Sequence, residues 1–301
     1  MESLGILSEI KEIYSKNRNI IQYLKNAEKR DTNSIEDIMI SYDFQSGTYI
    51  EEYLQNPSFH QKYCSCLSKV MEDLNVEPLE TLMEIGVGEA TVLGPLLNLL
   101  KKAPRHCYGF DISWSRIKYA KRFLEALKVT NVELFVGDLF HTPLKDSSVD
   151  IVYTSHSLEP NGGREKEALA ELYRITKKYL ILLEPLYELA DEKAQKRMIE
   201  QGYVTKLYSA AVELGYPIME HRLFGASRCR NPLNPTGLIV IRKDSNDKVT
   251  NPFGCPITKT DLTKINDVYY SQESMLAYPI VGGIPCLLPR NAVVATKFLV
   301  N

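Results

Sequence analysis

Short apolar runs alternate with amphipathic stretches between residues 78 and 243. The runs predict strands at residues 80–85, 106–111, 132–136, 149–154, 179–184, 217–224 and 237–242. Between them, apolar side chains at helical spacing, as at Ile117, Ala120 and Leu124, predict helices that cover the sheet. This alternation is typical of α/β proteins, and we predict a doubly wound, Rossmann-like sheet of seven strands.

The two flanks of this region have different patterns. Residues 1–77 contain no strand-like run, and apolar side chains such as Ile6 and Ile10 recur at helical spacing, which predicts a helical N-terminal extension. Residues 251–292 carry short apolar runs broken by proline and glycine, which predicts a small β-rich module. Residues 78–243 form the α/β domain between them.

Composition narrows the class of protein. The 301 residues are 44% hydrophobic and 25% charged, with a net charge of -2, which allows a sizeable core and gives no general attraction to nucleic acid. Six irregularly spaced cysteines indicate reduced thiols rather than a disulfide framework. No segment resembles a signal peptide, and no apolar run is long enough to cross a bilayer, so we expect a cytoplasmic protein without a membrane partner. The sequence leaves open whether the chain forms a homodimer.

Three of the predicted strands lead into an acidic side chain. Glu84 precedes a turn with Gly86 and Gly88, Asp111 closes the second strand, and Asp138 follows the third. Because the carboxyl ends of parallel strands meet at one edge of a sheet, we expect the three carboxylates to converge. A glycine turn followed by an acid at this spacing predicts a nucleoside-bearing ligand.

The charge of this edge indicates which ligand is bound. A dinucleotide would place its pyrophosphate against the glycine turn, where Glu84 would repel it. Thr91 also stands where the Gly-x-Gly-x-x-Gly fingerprint needs its third glycine. S-adenosylmethionine carries a sulfonium and an ammonium, which three carboxylates suit. We predict S-adenosylmethionine as the cofactor, with an NAD-binding oxidoreductase as the disfavoured alternative.

On these motifs residues 78–243 resemble the class I S-adenosylmethionine-dependent methyltransferases. The resemblance implies that Glu84, Gly86 and Gly88 lie along the methionine part of the cofactor. It implies that Asp111 binds the ribose hydroxyls, with Ile112 beside the adenine. It further implies that Asp138 binds the adenine amino group, supported by Leu139, and that Ser155 borders the cofactor.

Many of these enzymes fold a segment over the cofactor just before the first strand. Residues 42–49 mix polar and aromatic groups around one glycine, which is poor helix sequence. The resemblance makes Tyr42, Gln45 and Ser46 candidate cofactor contacts. The alternative is an ordinary connection between helices with half-buried tyrosines.

The loop after the fourth strand should face the transferred methyl group. It offers His156 and Glu159 as candidate catalytic residues. A histidine can remove the proton of a hydroxyl acceptor, with the carboxylate orienting the ring, and the alternative is a positioning role. The loop lacks the Asn/Asp-Pro-Pro-Tyr/Phe signature of the family's enzymes that methylate exocyclic amines or glutamine, which disfavours a nucleobase amine as the acceptor.

Two further loops are candidates for contact with the acceptor. Tyr187 or Glu184 follows the fifth strand, and Arg228 and Arg230 lie between the last two strands. Two arginines can clamp a carboxylate or phosphate, whereas the alternative is a surface loop with solvated arginines. We therefore expect a small anionic molecule or an activated sugar as the acceptor.

The C-terminal module resembles the zinc-ribbon-like family of the tRNA-methyltransferase activator subunit. The resemblance rests on the Tyr-Pro-Ile-x-x-Gly-Ile-Pro run at residues 278–285 and on Cys255. Thr258 replaces the second cysteine of the usual pair, and Cys286 is the one other cysteine of the module, so we expect no metal. The resemblance implies that the module covers a sheet edge, and the alternative is that it recruits a macromolecule.

These observations lead to one main prediction and two alternatives. The chain is predicted to be an S-adenosylmethionine-dependent methyltransferase acting on a small molecule, such as a hydroxyl of a sugar or an anionic metabolite. The first alternative is a tRNA or protein methyltransferase with its activator-like module fused in cis. The second is a protein that binds the cofactor without catalysis.

Overall fold

The computed structural model describes residues 5–30 and 32–300. A seven-stranded sheet with the order β3-β2-β1-β4-β5-β7-β6 forms its centre. The strands are β1 Thr81–Ile85, β2 His106–Asp111, β3 Val132–Val136, β4 Val149–Ser155, β5 Thr176–Pro185, β6 Ile218–Leu223 and β7 Thr236–Arg242. All neighbours pair in parallel except β7, which runs antiparallel to β5 and β6. The predicted seven-stranded α/β sheet is confirmed.

Helices cover both faces of the sheet. They are α6 Leu93–Leu99, α7 Trp114–Ala126, α8 Glu165–Ile175, α9 Glu192–Gln201 and α10 Leu207–Glu213. Side chains alternate along β1, so Leu82 joins the apolar cluster under α6 and α7, whereas Met83 joins the cluster under α8 and α10. Burial on both faces is the reason why the strands read as nearly continuous apolar runs.

The N-terminal extension consists of helices, as predicted. They are α1 Leu7–Ser15, α2 Ile20–Ala27, α3 Ile35–Phe44, α4 Thr48–Gln55 and α5 Pro57–Asp73. The segment from residue 42 was expected to be poor helix, but α3 continues to Phe44. The Asp43 carboxylate accepts hydrogen bonds from Ser113 Oγ at 2.7 Å and Ser115 N at 3.0 Å. This tertiary contact with the start of α7 holds the last turn of α3 and overrides its local propensity.

The buried carboxylate of Glu89 attaches the extension to the glycine turn. It accepts hydrogen bonds from Gly47 N and Ile50 N, both at 2.8 Å. These backbone groups belong to the first turn of α4, where N–H groups lack helical partners. The turn between α3 and α4 is therefore held over the carboxyl ends of the strands.

The C-terminal module is a small antiparallel sheet. Its strands are β8 Thr263–Ile265, β9 Val268–Ser271, β10 Leu276–Val281, β11 Ile284–Pro285 and β12 Val293–Val294. Leu287 N donates to Val136 O at 2.9 Å, and Cys286 pairs with Val136 in a parallel bridge, so the module extends the central sheet at β3. In the described ranges, no group of three or more His, Cys, Asp or Glu side chains is placed to hold a metal ion. No helix in those ranges combines the length and apolar character that a membrane span requires.

Candidate functional site

The main cavity lies at the carboxyl ends of β1 to β4, between the sheet and the turn that joins α3 to α4. It encloses about 1090 Å³, including its open mouth. Its lining comprises Ile35, Ile38, Tyr42, Tyr49, Glu52, Glu84, Gly86, Val87, Gly88, Thr91, Val92, Phe110, Asp111, Ile112, Arg116, Gly137, Asp138, Leu139, Phe140, Ser155, His156, Ser157, Glu159, Asn161, Arg228, Cys229 and Asn234. An open α/β sheet binds its ligands at this edge.

The three strand-end acids meet in this cavity and are almost completely buried. Glu84 accepts a hydrogen bond from Tyr153 Oη at 2.8 Å. Asp111 accepts from Gly88 N at 3.0 Å and Ser113 N at 2.9 Å, and Asp138 accepts from Phe140 N at 2.9 Å. Backbone donors therefore fix the two aspartates in place, since neither can turn away without losing a bond.

Burial disfavours the ionised forms of Glu84 and Asp111. It raises the pKa of Glu84 to about 8, although the Tyr153 hydrogen bond and the Arg228 charge act in the opposite direction. Burial also raises the pKa of Asp111, with the Arg116 charge opposing it. Removal from water disfavours the ionised form of a carboxyl group. A cationic or hydrogen-bond-donating ligand would stabilise the ionised form that burial disfavours.

The glycine turn brings bare backbone to the cavity. Gly86 and Gly88 have φ values of +63° and +54°, and a Cβ on Gly86 would lie 2.4 Å from Ser157 Cβ. A side chain at Gly86 would therefore displace the loop after β4. Ala90 continues the turn at φ +59°, a conformation that alanine tolerates less well than glycine. The turn therefore needs glycine at Gly86 for its close contact with the loop after β4.

The turn of the N-terminal extension contributes aromatic side chains but not the predicted polar ones. Tyr42 lines the cavity, as does Tyr49, which the sequence analysis missed. The structure does not bring Gln45 or Ser46 to the cavity. Gln45 ends α3 and its Nε2 donates to Ser41 Oγ at 2.8 Å, away from the lining.

Arg116 is a second cavity residue that the sequence analysis missed. It lies in the first turn of α7, is 1% exposed, and donates from Nε to Tyr42 O at 3.0 Å. Its guanidinium lies 4.0 Å from the Tyr49 ring centroid and 4.9 Å from that of Tyr42. A signal was present, because Arg116 adjoins Ile117 on the apolar face of a predicted helix, where a charge needs a partner.

The loop after β4 places His156 and Glu159 beside each other. Nδ1 of His156 lies 3.0 Å from Glu159 Oε2, and Nε2 lies 2.7 Å from Thr236 Oγ1. Asn234 Nδ2 donates to the same Oε2 at 3.3 Å. Both ring nitrogens of His156 are engaged, which a neutral ring permits by donating to Glu159 and accepting from Thr236. Ser155 also lines the cavity and pairs with Tyr63 Oη at 2.9 Å.

Arg228 reaches the cavity from the loop between β6 and β7. Its Nη2 donates to Thr91 Oγ1 at 2.8 Å, and Nη1 lies 3.4 Å from His60 Nδ1. Burial, aided by the Arg228 and Arg230 charges, lowers the pKa of His60 to about 4, so the imidazole is neutral at pH 7. A neutral imidazole can accept from Arg228 instead of repelling it.

Three residues proposed for the acceptor side lie elsewhere. Arg230 is exposed and sits 6.0 Å from the Phe59 ring centroid, outside the lining of the cavity. Tyr187 begins a single 3₁₀ turn and lines a shallow outer groove with α9, because β5 ends before it. Glu184 is buried beneath the site and accepts from Ser157 N at 3.0 Å, so it supports the loop after β4.

Comparison with known families identifies the domain. Residues 83–182 match the family model described as "Methyltransferase domain". This part of the chain is a class I methyltransferase domain. The match runs from β1 to β5, so it spans the glycine turn and the strand ends that carry Glu84, Asp111 and Asp138.

Individual relatives resemble parts of the chain. A curated Streptomyces fradiae protein, described as an uncharacterized 37.1 kDa protein in transposon TN4556, is 32% identical over 108 residues. That match covers 36% of this chain and 30% of the relative, less than a third of the relative's length. It adds no activity, because the relative is itself described as uncharacterized.

Solved structures also resemble the methyltransferase domain. An S-adenosylmethionine-dependent methyltransferase from Aquifex aeolicus is 19% identical, covering 57% of this chain and 87% of its own, with a TM-score of 0.44. Magnesium protoporphyrin IX methyltransferase from Synechocystis, with bound S-adenosylhomocysteine, is 17% identical. The match covers 62% of this chain and 84% of that enzyme, with a TM-score of 0.48. A chain from the complex of the Haloferax volcanii Trm112 methyltransferase activator and a methyltransferase is 18% identical. The match covers 62% of this chain and 96% of that chain, with a TM-score of 0.47. At these scores the likenesses carry no argument about ligands.

The methyl donor of the methyltransferase domain is S-adenosylmethionine, and the cavity residues fit it. Buried carboxylates suit its cationic groups and hydroxyls, while Ile112 and Leu139 provide apolar walls near Asp138. Nη1 and Nη2 of Arg116 have no hydrogen-bond partner among the described residues. The cationic groups and hydroxyls of S-adenosylmethionine therefore match the buried acids. Its carboxylate matches the buried guanidinium of Arg116, whose terminal nitrogens lack hydrogen-bond partners in the described ranges.

Proposed function

We propose that the chain transfers a methyl group from S-adenosylmethionine to a small-molecule acceptor that carries an anionic group. The observation that supports this most directly is Arg228, which lines the cavity and holds its guanidinium beside Thr91 and His60. A guanidinium with a planar fork of donors is suited to carboxylate and phosphate groups. The cavity is also a cleft between the extension and the sheet, which suits a small molecule.

The roles proposed for the donor side follow the resemblance. Glu84, Gly86 and Gly88 would border the methionine part and Asp111 would bind the ribose. Asp138, Ile112 and Leu139 would surround the adenine, with Tyr42 and Ser155 closing the site. All of these residues line the same cavity, which supports the assignment. Gln45 and Ser46 are left out because they lie outside that lining.

The acceptor side would handle the proton of a hydroxyl acceptor. Bound S-adenosylmethionine supplies an electrophilic methyl group, so the chain's own residues need only hold the acceptor in line and remove its proton. We assign the role of proton acceptor to Glu159. Its Oε2 is held by His156 and Asn234. His156 then positions Glu159, because its Nε2 is already engaged by Thr236.

A labelling experiment tests the class of acceptor. The full chain is incubated with methyl-labelled S-adenosylmethionine and, separately, with anionic metabolites, neutral metabolites, transfer RNA and protein. We expect label in an anionic small molecule. With that acceptor, Arg228→Met should raise its KM more than about tenfold, because a charge-assisted pair is lost, while the affinity for the donor changes little.

Arg230→Met is the matched control, since it removes a guanidinium from the same loop but outside the cavity, and it should leave KM unchanged. Label in transfer RNA or protein would replace the proposal by the macromolecular alternative. Donor binding without transfer to any acceptor would favour a non-catalytic protein.

We further propose that residues 251–292 act as an activator-like module fused in cis. The hydrogen bond from Leu287 N to Val136 O supports a structural role, because it pairs backbone that would otherwise be exposed at the edge of β3. Leu287→Ala should lower the free energy of unfolding by about 2–4 kcal/mol, measured by urea denaturation. Exposed Val294→Ala is the control and should change it by less than about 0.5 kcal/mol.

A further inference from the structure

Arg116 is a buried cation whose hydrogen bonds are incomplete. Its Nε donates to Tyr42 O, but within the described ranges Nη1 and Nη2 have no acceptor. The nearest carboxylate atom, Glu89 Oε1, lies 3.7 Å from Nη1, which is beyond a good hydrogen bond, and Glu89 already accepts two backbone N–H groups. A buried charged donor without a partner is costly, so an acceptor from outside the chain would complete the site.

The free end of the guanidinium faces the glycine turn. Nη1 lies 3.7 Å from the position that a Cβ on Gly88 would take, and Arg116 lines the cavity. The rings of Tyr42 and Tyr49 lie within 5 Å of its Cζ, and this restricts the side chain to one placement. The two free nitrogens form a planar fork, which matches the two oxygens of a carboxylate.

S-adenosylmethionine has one anionic group, the carboxylate of its methionine part. Arg116 and Arg228 are the two Lys or Arg side chains in the lining of the cavity. Arg228 already donates to Thr91 Oγ1 and lies against His60, whereas neither terminal nitrogen of Arg116 has a hydrogen-bond partner among the described residues. Ionised carboxylates at the strand ends would repel the carboxylate of the donor, so the donor must direct it to a cation.

We propose that Arg116 binds the methionine carboxylate of S-adenosylmethionine in a bidentate pair, and that it thereby selects donors that carry this carboxylate. The assignment rests on S-adenosylmethionine as the donor and is independent of which acceptor is methylated. It gives α7 a role in recognising the methionine end of the donor, while Asp111, at the end of β2, faces the ribose.

Calorimetric titration of the full chain without acceptor tests this. The probes are S-adenosylmethionine and its decarboxylated analogue, which differ by the carboxylate alone. We expect the wild type to bind S-adenosylmethionine roughly 100-fold more tightly, the size expected for two charge-assisted hydrogen bonds in a buried site. Arg116→Met should reduce this ratio to less than about threefold, and Arg116→Lys should give an intermediate ratio because it keeps the charge without the fork.

Arg230→Met removes a guanidinium outside the cavity, so it is the matched control and should keep the wild-type ratio. If the wild type binds both probes equally, the proposal is wrong, and this outcome needs no variant to fold. If Arg116→Met weakens both probes by the same factor, Arg116 only holds the extension in place. If Arg228→Met abolishes the ratio instead, the carboxylate belongs to Arg228. The first two results leave the labelling test of the acceptor unaffected, whereas the third would remove Arg228 from the proposed acceptor side.

Discussion

The proposed donor side of the cavity is lined by the ends of parallel strands, whereas the proposed acceptor side is lined mainly by loops and by the N-terminal extension. Asp111 and Asp138 each accept a backbone N–H from a residue two positions along the chain. On the acceptor side, Asn234 and Thr236 meet Glu159 and His156 across 75 and 80 residues of sequence. Asp111 and Asp138 are thus held by local backbone geometry. Glu159 and His156 are held by contacts with side chains that are distant in sequence.

This difference indicates which parts of the cavity can change and which cannot. Backbone hydrogen bonds fix Asp111 and Asp138 whatever side chains surround them, so this part of the proposed donor side is preorganised. The proposed acceptor side depends on side chains of the loop after β4, of the loop before β7 and of Thr236 at the start of β7, and the two loops can change without disturbing the sheet. Substitutions on the two sides should therefore affect different steps, namely donor binding on one side and turnover on the other.

The largest expected effect is on turnover. Glu159→Gln should lower kcat by roughly 100- to 1,000-fold with a hydroxyl acceptor, because the proposed proton acceptor is lost. The affinity for S-adenosylmethionine should change by less than about threefold. Steady-state kinetics and calorimetric titration measure the two quantities separately.

His156→Asn is the companion variant, since asparagine tolerates the left-handed backbone of His156 at φ +54°. It should lower kcat less than Glu159→Gln if His156 only positions the carboxylate. A larger loss with His156→Asn would make the imidazole the base. Unchanged kcat in both variants would show that the acceptor needs no base.

Asp111→Asn should have the largest effect on the donor side. The amide keeps the shape of the side chain but loses the charge and replaces one acceptor by a donor facing backbone N–H groups. We expect donor affinity to fall roughly 30-fold in a calorimetric titration, with kcat at saturating donor nearly unchanged. Exposed Asp73→Asn is the control. An equal fall in both variants would contradict the proposed ribose contact.

The sheet and the donor-side acids were predictable because their signals are local. A buried strand reads as a short apolar run, and Glu84, Asp111 and Asp138 follow such runs directly. Tyr49 and Arg116 were missed because their contact with each other depends on how α4 crosses α7. Tyr187 was misplaced because the end of β5 does not reveal that the chain turns outward into a 3₁₀ helix. Spacing along the chain carries no information about such crossings.

The pH dependence of donor binding should have an intermediate effect. Burial raises the pKa of Glu84 to about 8, so this carboxyl group is mostly neutral at pH 7 before the donor binds. A cationic donor favours the ionised form, and binding should release a proton. Affinity should therefore rise with pH, by up to about tenfold per unit between pH 6 and 7.5, and level off above pH 8.

Calorimetric titrations in two buffers of different ionisation enthalpy count the released proton directly. Glu84→Gln cannot ionise and should remove most of the pH dependence. The same raised pKa destabilises the donor-free chain as the pH rises from about 4.5 to 8, because the folded state binds more protons than the unfolded state there. Thermal unfolding without donor should accordingly give a lower Tm at pH 8 than at pH 6. Proton uptake on donor binding would contradict this assignment of Glu84.

The smallest expected effect is on donor affinity, and it compares Tyr49, which the structure places in the cavity, with Gln45, which the sequence predicted as a cofactor contact. The Tyr49 ring lies 4.0 Å from Arg116 Cζ and 5.5 Å from Arg228 Cζ, where the two sides of the cavity meet. Tyr49→Leu should weaken donor binding roughly fivefold, because the stacking that orients Arg116 is lost. Gln45→Leu, four residues away but outside the lining, should change it by less than about twofold. The reverse order of effects would mean that the turn between α3 and α4 rearranges when the donor binds, so that Gln45 enters the site.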